Sequence, residues 1–408
     1  MLMRALIGFV AALTAQAAAA GLDQERAVAL ALAAQPQLAA RAEATRALRE
    51  SAVAAGELPD PNLSFGLQNV PTKRFDLTSE DMTQATVAIG QIFPGGAKRA
   101  LNRERGERAA ELALSELDLA RRGIERDVRL AWLDLWLPSQ SLAWLQRLDD
   151  AYQQQIEWGE VAYQAGKVSR DDILQWQAQR ASVGDRVSEQ RLARERARAQ
   201  LRRWLGGAAA EEPTPELPAF APGGERSARL ERHPELQRAQ RAQDVAQAEA
   251  RLAKEAAKPD WNLNLAYGAR GGGRSDLVLL QASVDLPIFP ANRQDRRLAA
   301  RLAEVNQAGE EREDKRRMLL ADLDMALAER QAATERSERF EQGILPLQES
   351  RELAAVADYR AGKWEWSRVL DARRALLETR LQWLAQRAAR ARAEVSLRYL
   401  LGGPEAQP

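Results

Sequence analysis

Short motifs recur in this chain at a constant distance. Tyr163-Gln164-Ala165-Gly166-Lys167 returns 196 residues later as Tyr359-Arg360-Ala361-Gly362-Lys363. The same offset relates Ile92-Phe93-Pro94 to Ile288-Phe289-Pro290, and Leu205-Gly206-Gly207 to Leu401-Gly402-Gly403. Motifs that recur in one order at one spacing indicate a duplicated structural unit. We therefore predict two repeats, residues 21–207 and 225–403, with a linker at 208–224 and a tail at 404–408.

The first 20 residues have the features of a secretory signal peptide. Arg4 precedes an apolar run over residues 5–15, and small residues follow, with alanines spaced as in a cleavage site. The run is shorter than the stretch of about 20 apolar residues that spans a bilayer as a helix. The chain has no cysteine, so we expect neither disulfides nor an N-terminal thiol for lipid attachment.

Composition indicates long helices with solvated faces. Charged residues make up 29% of the chain and hydrophobic residues 45%, and the abundant types favour helix. Lys and Arg number 59 against 58 Asp and Glu, a formal net charge of +1. We expect no nucleic acid partner, because that function requires a clustered basic excess.

Each repeat predicts the order helix, strand, strand, helix, helix. In the first, helical patterns cover 22–57, with Pro36 inside, then 97–163 and 169–205. Residues 62–68 alternate between apolar and polar, as in a strand with one buried face, and a second alternating run ends at Phe93. In the second repeat we predict helices at about 227–258, from 290 to 359 and up to 401, with strands between.

The strands predict an oligomer. Each is about as long as a tilted membrane-spanning strand and has one apolar face. Open sheet edges are not tolerated in lipid, and the smallest spanning barrels use about eight strands, so four strands need partners.

The ordered motifs resemble the TolC-like outer-membrane factors over essentially the whole mature chain. Phe93-Pro94-Gly95-Gly96, the two Tyr-x-Ala-Gly-Lys turns and Val369-Leu370-Asp371-Ala372-Arg373 carry the resemblance. It implies a mainly α fold in which long helices form a periplasmic α-barrel. It also implies a homotrimer whose twelve strands, four from each copy, close one β-barrel in outer-membrane lipid. The implied partners are a periplasmic adaptor and an inner-membrane transporter, expected to be of the resistance-nodulation-division type.

The resemblance also implies a gate at the helix tips. Asp371 and Asp172, with Asp171 beside it, align with gate carboxylates, while Arg368 replaces another carboxylate of the family. An Arg368–Asp371 contact in place of an acidic ring would reduce cation preference. The alternatives are that Asp371 is a solvated helix residue and that Asp171 and Asp172 complement a helix dipole.

The glycine turns are the predicted docking surface for the adaptor. Gly166, Lys167, Gly362, Lys363 and Trp364 form this surface in one interpretation, and plain exposed turns in the other. Tyr163 and Tyr359, just before the turns, either bond across helices to hold the entrance shut or pack as ordinary helix residues. Both glycines suit a reversal that needs positive φ.

The sequence predicts neither catalysis nor a cofactor. His233 is the only histidine, and no metal-ligand spacing or phosphate-binding loop is present. We expect the tryptophans of the long helices to pack. The aromatic residues near the strands either form a membrane girdle or are ordinary strand residues: Phe65, Phe93, Trp261, Tyr267 and Phe289. The competing function is a soluble periplasmic coiled-coil adaptor or scaffold.

Overall fold

The first repeat folds as two helices, two strands and two further helices. The computed structural model describes residues 21–73, 75–78, 80–218, 226–363 and 365–401, so the predicted signal peptide lies outside the described residues. The elements are α1 (Gln24–Ala34), α2 (Pro36–Gly56), β1 (Asn62–Gln68), β2 (Gln84–Phe93), α3 (Lys98–Gln164) and α4 (Arg170–Leu205).

The second repeat follows the same order. Its elements are α5 (Arg226–Glu231), α6 (Pro234–Glu255), β3 (Trp261–Arg270), β4 (Leu277–Val284), α7 (Gln294–Arg339), α8 (Leu345–Arg360) and α9 (Ser367–Leu401). The predicted mainly helical fold with a small β part is confirmed. Several helices that we predicted as continuous are nevertheless divided.

Prolines divide the leading helix of each repeat. The helix predicted over 22–57 breaks at Gln35, and the one predicted from about 227 breaks ahead of Pro234. Gln35 is extended, with φ −83° and ψ 110°, because the ring of Pro36 disfavours helical backbone in the residue before it. Each proline then begins the next helix, where its missing amide hydrogen has no partner to lose.

A π-helical turn divides the long helix of the second repeat. Phe340–Ile344 form this turn between α7 and α8, where we predicted one helix from 290 to 359. Pro346 follows closely, and its nitrogen lacks the hydrogen that an α-helix would direct at Gln342. Pro138, by contrast, lies inside the uninterrupted α3.

The four strands form one antiparallel sheet in the order β1-β2-β3-β4. Its register separates two faces. The apolar face contains the rows Leu63–Ile89–Leu265–Leu280 and Phe65–Val87–Tyr267–Val278. The polar face contains mainly amides, hydroxyls and small residues: Asn62, Ser64, Gln68, Gln84, Thr86, Asn262, Asn264, Gln281 and Ser283. The sheet therefore has the period of two that the sequence predicts.

The apolar face is exposed. Phe65 is 74% exposed, Leu280 73% and Val278 71%, although large apolar side chains are usually removed from water. An exposed apolar surface of this kind marks an interaction with another protein or a membrane.

Among the described residues, one compact unit draws on 21–38, 120–218, 226–233, 317–363 and 365–401. Trp132 and Trp136 of α3 are fully buried in its core. The Trp132 indole donates to the Leu22 carbonyl at 2.8 Å, and the Trp136 indole donates to the Pro215 carbonyl at 3.1 Å. The segment before α1 and the linker are therefore both held against α3. Of the tryptophans predicted to pack, Trp158 is the exception, being 41% exposed.

The other compact unit draws on Ala39–Leu119 and Pro234–Arg316 and contains the sheet. An ion pair joins the starts of β3 and α3, with Lys98 Nζ 2.7 Å from Asp260 Oδ1. Burial alone would raise the pKa of Asp260, but hydrogen bonds from Lys98 and from the Gly95 amide bring this pKa below its ordinary value. The pair therefore favours the charged carboxylate at this junction.

Within the described part of the chain, every helix is too short or too polar to cross a membrane.

Candidate gate at the helix tips

The two tip turns have the same backbone geometry. Gly166 has φ +70° and Gly362 has φ +67°. The amide of Gly166 donates to Tyr163 O and that of Lys167 to Ala162 O, both at 2.9 Å. Gly362 donates to Tyr359 O in the same way, and Lys363 donates to Asp358 O. Both turns are therefore Schellman motifs, which require a residue in the left-handed region and explain the glycine in each.

The first tip continues into α4 through a capping box. The Ser169 hydroxyl accepts from the Asp172 amide at 3.1 Å, and the Asp172 carboxylate accepts from the Ser169 amide at 3.1 Å. The same carboxylate accepts from the Ser169 hydroxyl at 2.6 Å. Asp171 is exposed in the same first turn. The local geometry thus uses Asp172 as a helix-start residue, one of the two roles that its sequence position predicts.

The second tip is built from aromatic and ionic contacts. Tyr359 and Trp366 meet edge to face with ring centroids 4.8 Å apart. Arg373 lies over the Trp366 ring at 5.5 Å, and its Nε is 2.8 Å from Glu352 Oε1. These contacts join α8 to α9 just behind the turn. Trp364, which we predicted as part of the docking surface, lies outside the described residues.

Asp371 and Arg368 line one groove between α8 and α9. It has a volume of about 370 Å³, and its other charged residues are Arg351 and Asp358 of α8. Asp371 and Arg368 are both exposed, and the Lys363 ammonium lies 3.9 Å from Asp358 at the turn end. The structure thus brings together two of the predicted gate residues. The other four, Tyr163, Asp171, Asp172 and Tyr359, are not among the described residues that line this groove.

Tyr152 of α3 is a neighbour of Asp371 that the sequence did not reveal. It is 1% exposed, and burial raises the pKa of its hydroxyl above the ordinary value. The charges of Asp371, Arg374 and Glu378 on α9 act on that pKa as well, so this part of α9 faces Tyr152. The apolar spacing Leu145, Leu148, Tyr152 marks a core position. It contains no information about which helix lies opposite.

A second core supports the tips from within the same unit. It combines residues of α3, α4 and α9: Leu142, Leu145, Leu148, Tyr152, Ile173, Trp176, Val183, Val187, Leu370 and Leu377. The helices approach closely at Gly159, where an added Cβ would lie 2.4 Å from Trp176 Cζ3. The exposed charged residues of the tips are thus held in place by a well-packed hydrophobic core.

The charged side chains of this groove are suited to electrostatic interaction with ions or charged surfaces rather than to catalysis. Two carboxylates and two guanidinium groups line the groove. Among the described residues, no three or more His, Cys, Asp and Glu side chains are grouped so as to hold a metal ion. Side chains of this kind attract or repel passing ions and pair with charges on another surface.

A duplicated chain with helical tips and a sheet that exposes an apolar face is the arrangement that the resemblance to outer-membrane factors implies. Residues 226–403 match the model of the family described as outer membrane efflux protein. The second repeat matches this family of channel proteins, and the resemblance predicted from the sequence is confirmed. Efflux across the outer membrane is the corresponding function class.

Relatives and solved structures agree with this assignment. The cobalt-zinc-cadmium resistance protein CzcC of Cupriavidus metallidurans is 23% identical over 398 residues, covering 94% of this chain and 91% of CzcC. The structure of CusC, described in terms of transmembrane channel formation, is 18% identical with a TM-score of 0.77, covering 94% of this chain and 93% of CusC. The outer membrane protein VceC of Vibrio cholerae is also 18% identical, with a TM-score of 0.74, covering 93% of this chain and 96% of VceC. At these identities the two structures establish the fold.

Proposed function

We propose that this protein is the outer-membrane duct of an efflux system and conducts substrates passively, without a catalytic step of its own. The exposed apolar face of the sheet carries the proposal. Burying apolar surface in lipid is worth about 25 cal/mol for each Å² removed from water, so a face of large apolar side chains strongly favours the membrane.

Aromatic residues occupy the ends of this face. Phe93 is opposite Trp261 in the row nearest the helices, and Phe65 shares a row with Tyr267 nearer the loops. Six residues along β2 separate these rows, which is about 20 Å at roughly 3.4 Å per residue. Two aromatic rows at such a spacing fit the girdles that flank the apolar band of a membrane barrel.

The sheet edges support a homotrimer. β1 and β4 are the edge strands, and each presents unpaired backbone groups on one side. Lipid offers these groups no hydrogen bonds. Three copies joined edge to edge would close a barrel of twelve strands, with the apolar faces toward lipid and the polar faces toward water. The helical part then extends into the periplasm.

The tips are the proposed entrance. Three copies of Asp371 around one axis would hold carboxylates close together, which favours bound cations and disfavours anions. Arg368 and Arg351 in the same groove moderate this field. The exposed turns with Lys167 and Lys363 are the proposed contact for a periplasmic adaptor, through which an inner-membrane transporter delivers substrate.

Fractionation and conductance test the duct. The full chain, expressed with its leader, should sediment with outer membranes, migrate as a trimer in detergent before heating, and give stepwise currents in a planar bilayer. Release by osmotic shock as a detergent-free monomer would contradict the proposal and support the soluble adaptor or scaffold.

Two substitutions at one position test the gate. The Asp371→Ala variant should show higher single-channel conductance or weaker block by divalent cations than the parent. The Asp371→Glu variant keeps the charge and is the matched control, so its block should persist. Unchanged conductance and block in the Ala variant would remove Asp371 from the gate.

A further inference from the structure

The polar face of the sheet is an amide surface. One row runs across all four strands as Asn62, Gly90, Asn264 and Gln281. An added Cβ at Gly90 would lie 3.8 Å from Asn264 Oδ1 and 3.9 Å from Asn262 Oδ1, so two amide side chains flank this glycine. Each amide offers both hydrogen-bond donors and acceptors, and none carries charge.

Arg270 is the one charged residue within the four strands, all of whose residues the structure describes. It lies at the loop end of β3, and its backbone amide donates to Asp276 Oδ1 at 3.0 Å. Its guanidinium donates to the carbonyls of Ser275 and Asp81. Arg274, the next cation along the chain, is paired with the Asp81 carboxylate at 2.8 Å. At this loop end of the sheet, which we call the rim, each of the two arginines therefore has a carboxylate beside it.

Ile92 of β2 and two leucines of β4 are the large apolar side chains on the polar face. Leu277 and Leu279 of β4 are opposite Gly268 and Ala266, and Leu279 is 55% exposed. They lie on an edge strand beside the amide row. The polar face thus presents amides with an adjoining apolar strip.

We infer that the strand part of the duct is a charge-neutral wall, centred on an amide ring formed by Asn62, Asn264 and Gln281 of each copy. Selective pores discriminate charge with rings of charged side chains, whereas an amide ring accepts cations and anions alike. The wall therefore lets substrates of either charge pass, and the two leucines offer an apolar contact to amphipathic substrates. The inference rests on the proposed function, since it requires the polar face to line the conduction path.

Reversal potentials in planar bilayers test the wall, with the purified full chain and a KCl gradient. For an ion about 10 Å from each of three added carboxylates, we expect roughly a twofold gain for K⁺ and a similar loss for Cl⁻ at about 0.1 M salt. The Asn264→Asp variant should therefore shift the permeability ratio about fourfold toward K⁺. The Asn264→Lys variant should shift it equally toward Cl⁻.

Two neutral variants complete the test. The Asn264→Gln variant keeps the amide and should leave the ratio unchanged, as should the Arg270→Gln/Asp276→Asn double variant, which removes one cation and one carboxylate from the rim together. No shift with either charged variant would show that Asn264 does not face the path and would overturn the inference. A shift with the Arg270→Gln/Asp276→Asn double variant as large as that of an added charge would overturn it too. If no variant and no parent protein conducts, the proposed duct itself fails, which is a different result.

Discussion

The close approach of α3 and α4 at Gly159 predicts a large response to one added methyl group. In the Gly159→Ala variant the new Cβ would lie 2.4 Å from Trp176 Cζ3 and 3.1 Å from Cε3. Non-bonded carbon atoms prefer separations of about 3.5–4.0 Å, so the ring or the helix must move by about 1 Å. Trp176 is 6% exposed and packs in the second core, which leaves little room for that movement.

Two opposing effects set the magnitude. Alanine is favoured over glycine inside a helix by about 1 kcal/mol, whereas overpacking a filled core costs about 1–3 kcal/mol. We expect a net destabilisation of about 1 kcal/mol. For a unit of this size it corresponds to a fall of roughly 2–4 °C in the thermal unfolding midpoint.

Gly184 of α4 is the matched control. An added Cβ there meets no atom within 4 Å, so the Gly184→Ala variant gains helix propensity without a clash. Its midpoint should rise while that of Gly159→Ala falls, measured by circular dichroism of each full chain in the same detergent. Equal increases in both variants would refute the close packing of the α3–α4 hairpin.

Three further changes test other parts of the structure. The Gly362→Ala variant should be less stable to unfolding by about 1–2 kcal/mol, because φ is +67° there and a side chain is strained in that region. Its unfolding midpoint should therefore fall, although the added Cβ has open space around it. Burial alone would raise the pKa of Glu25, but Arg129 and Arg398 bring it below the ordinary value. The stabilisation is therefore present above the unfolded pKa and is lost as pH falls through the folded pKa. The free energy of unfolding should differ between the parent and the Glu25→Gln variant by at most about 1 kcal/mol near neutrality, since Glu25 is half exposed. This difference should vanish in acid, and a difference that stays constant with pH would refute the linkage. The Trp132→Phe variant keeps most of the ring but loses the donor to the Leu22 carbonyl, so it should be less stable by about 1 kcal/mol and should release the N-terminal segment to protease first. Unchanged cleavage would contradict the role of the Trp132–Leu22 hydrogen bond in holding the N-terminal segment against α3.

Local patterns predicted the strands and the tip turns, because each depends on neighbouring residues. Alternation along 62–68 specifies β1 to the residue, and the glycines specify two turns of the same kind. The capping box at the first tip was also present in the sequence, as Ser169 three residues before Asp172. That signal favours a local role for Asp172 and sets this residue apart from Asp371.

Contacts between segments that are distant in the chain could not be predicted from local sequence patterns. Tyr152 meets the charges of α9 only because the fold places the two helices together. The groove of Asp371 and Arg368 likewise depends on α8 supplying Arg351 and Asp358. The π turn at Phe340–Ile344 was missed because a single proline inside a helical pattern predicts either a kink or a continuous helix, as the uninterrupted α3 around Pro138 shows.

Thiol labelling along β1 tests the central claim that the apolar face of the sheet meets lipid and the polar face meets water. The chain has no cysteine, so the Ser64→Cys and Phe65→Cys variants each carry one thiol, on opposite faces of the same strand. In intact outer membranes, a membrane-impermeant maleimide should label the Ser64→Cys variant and spare the Phe65→Cys variant, while both react after denaturation. Equal labelling of the two variants in the membrane fraction would contradict the account.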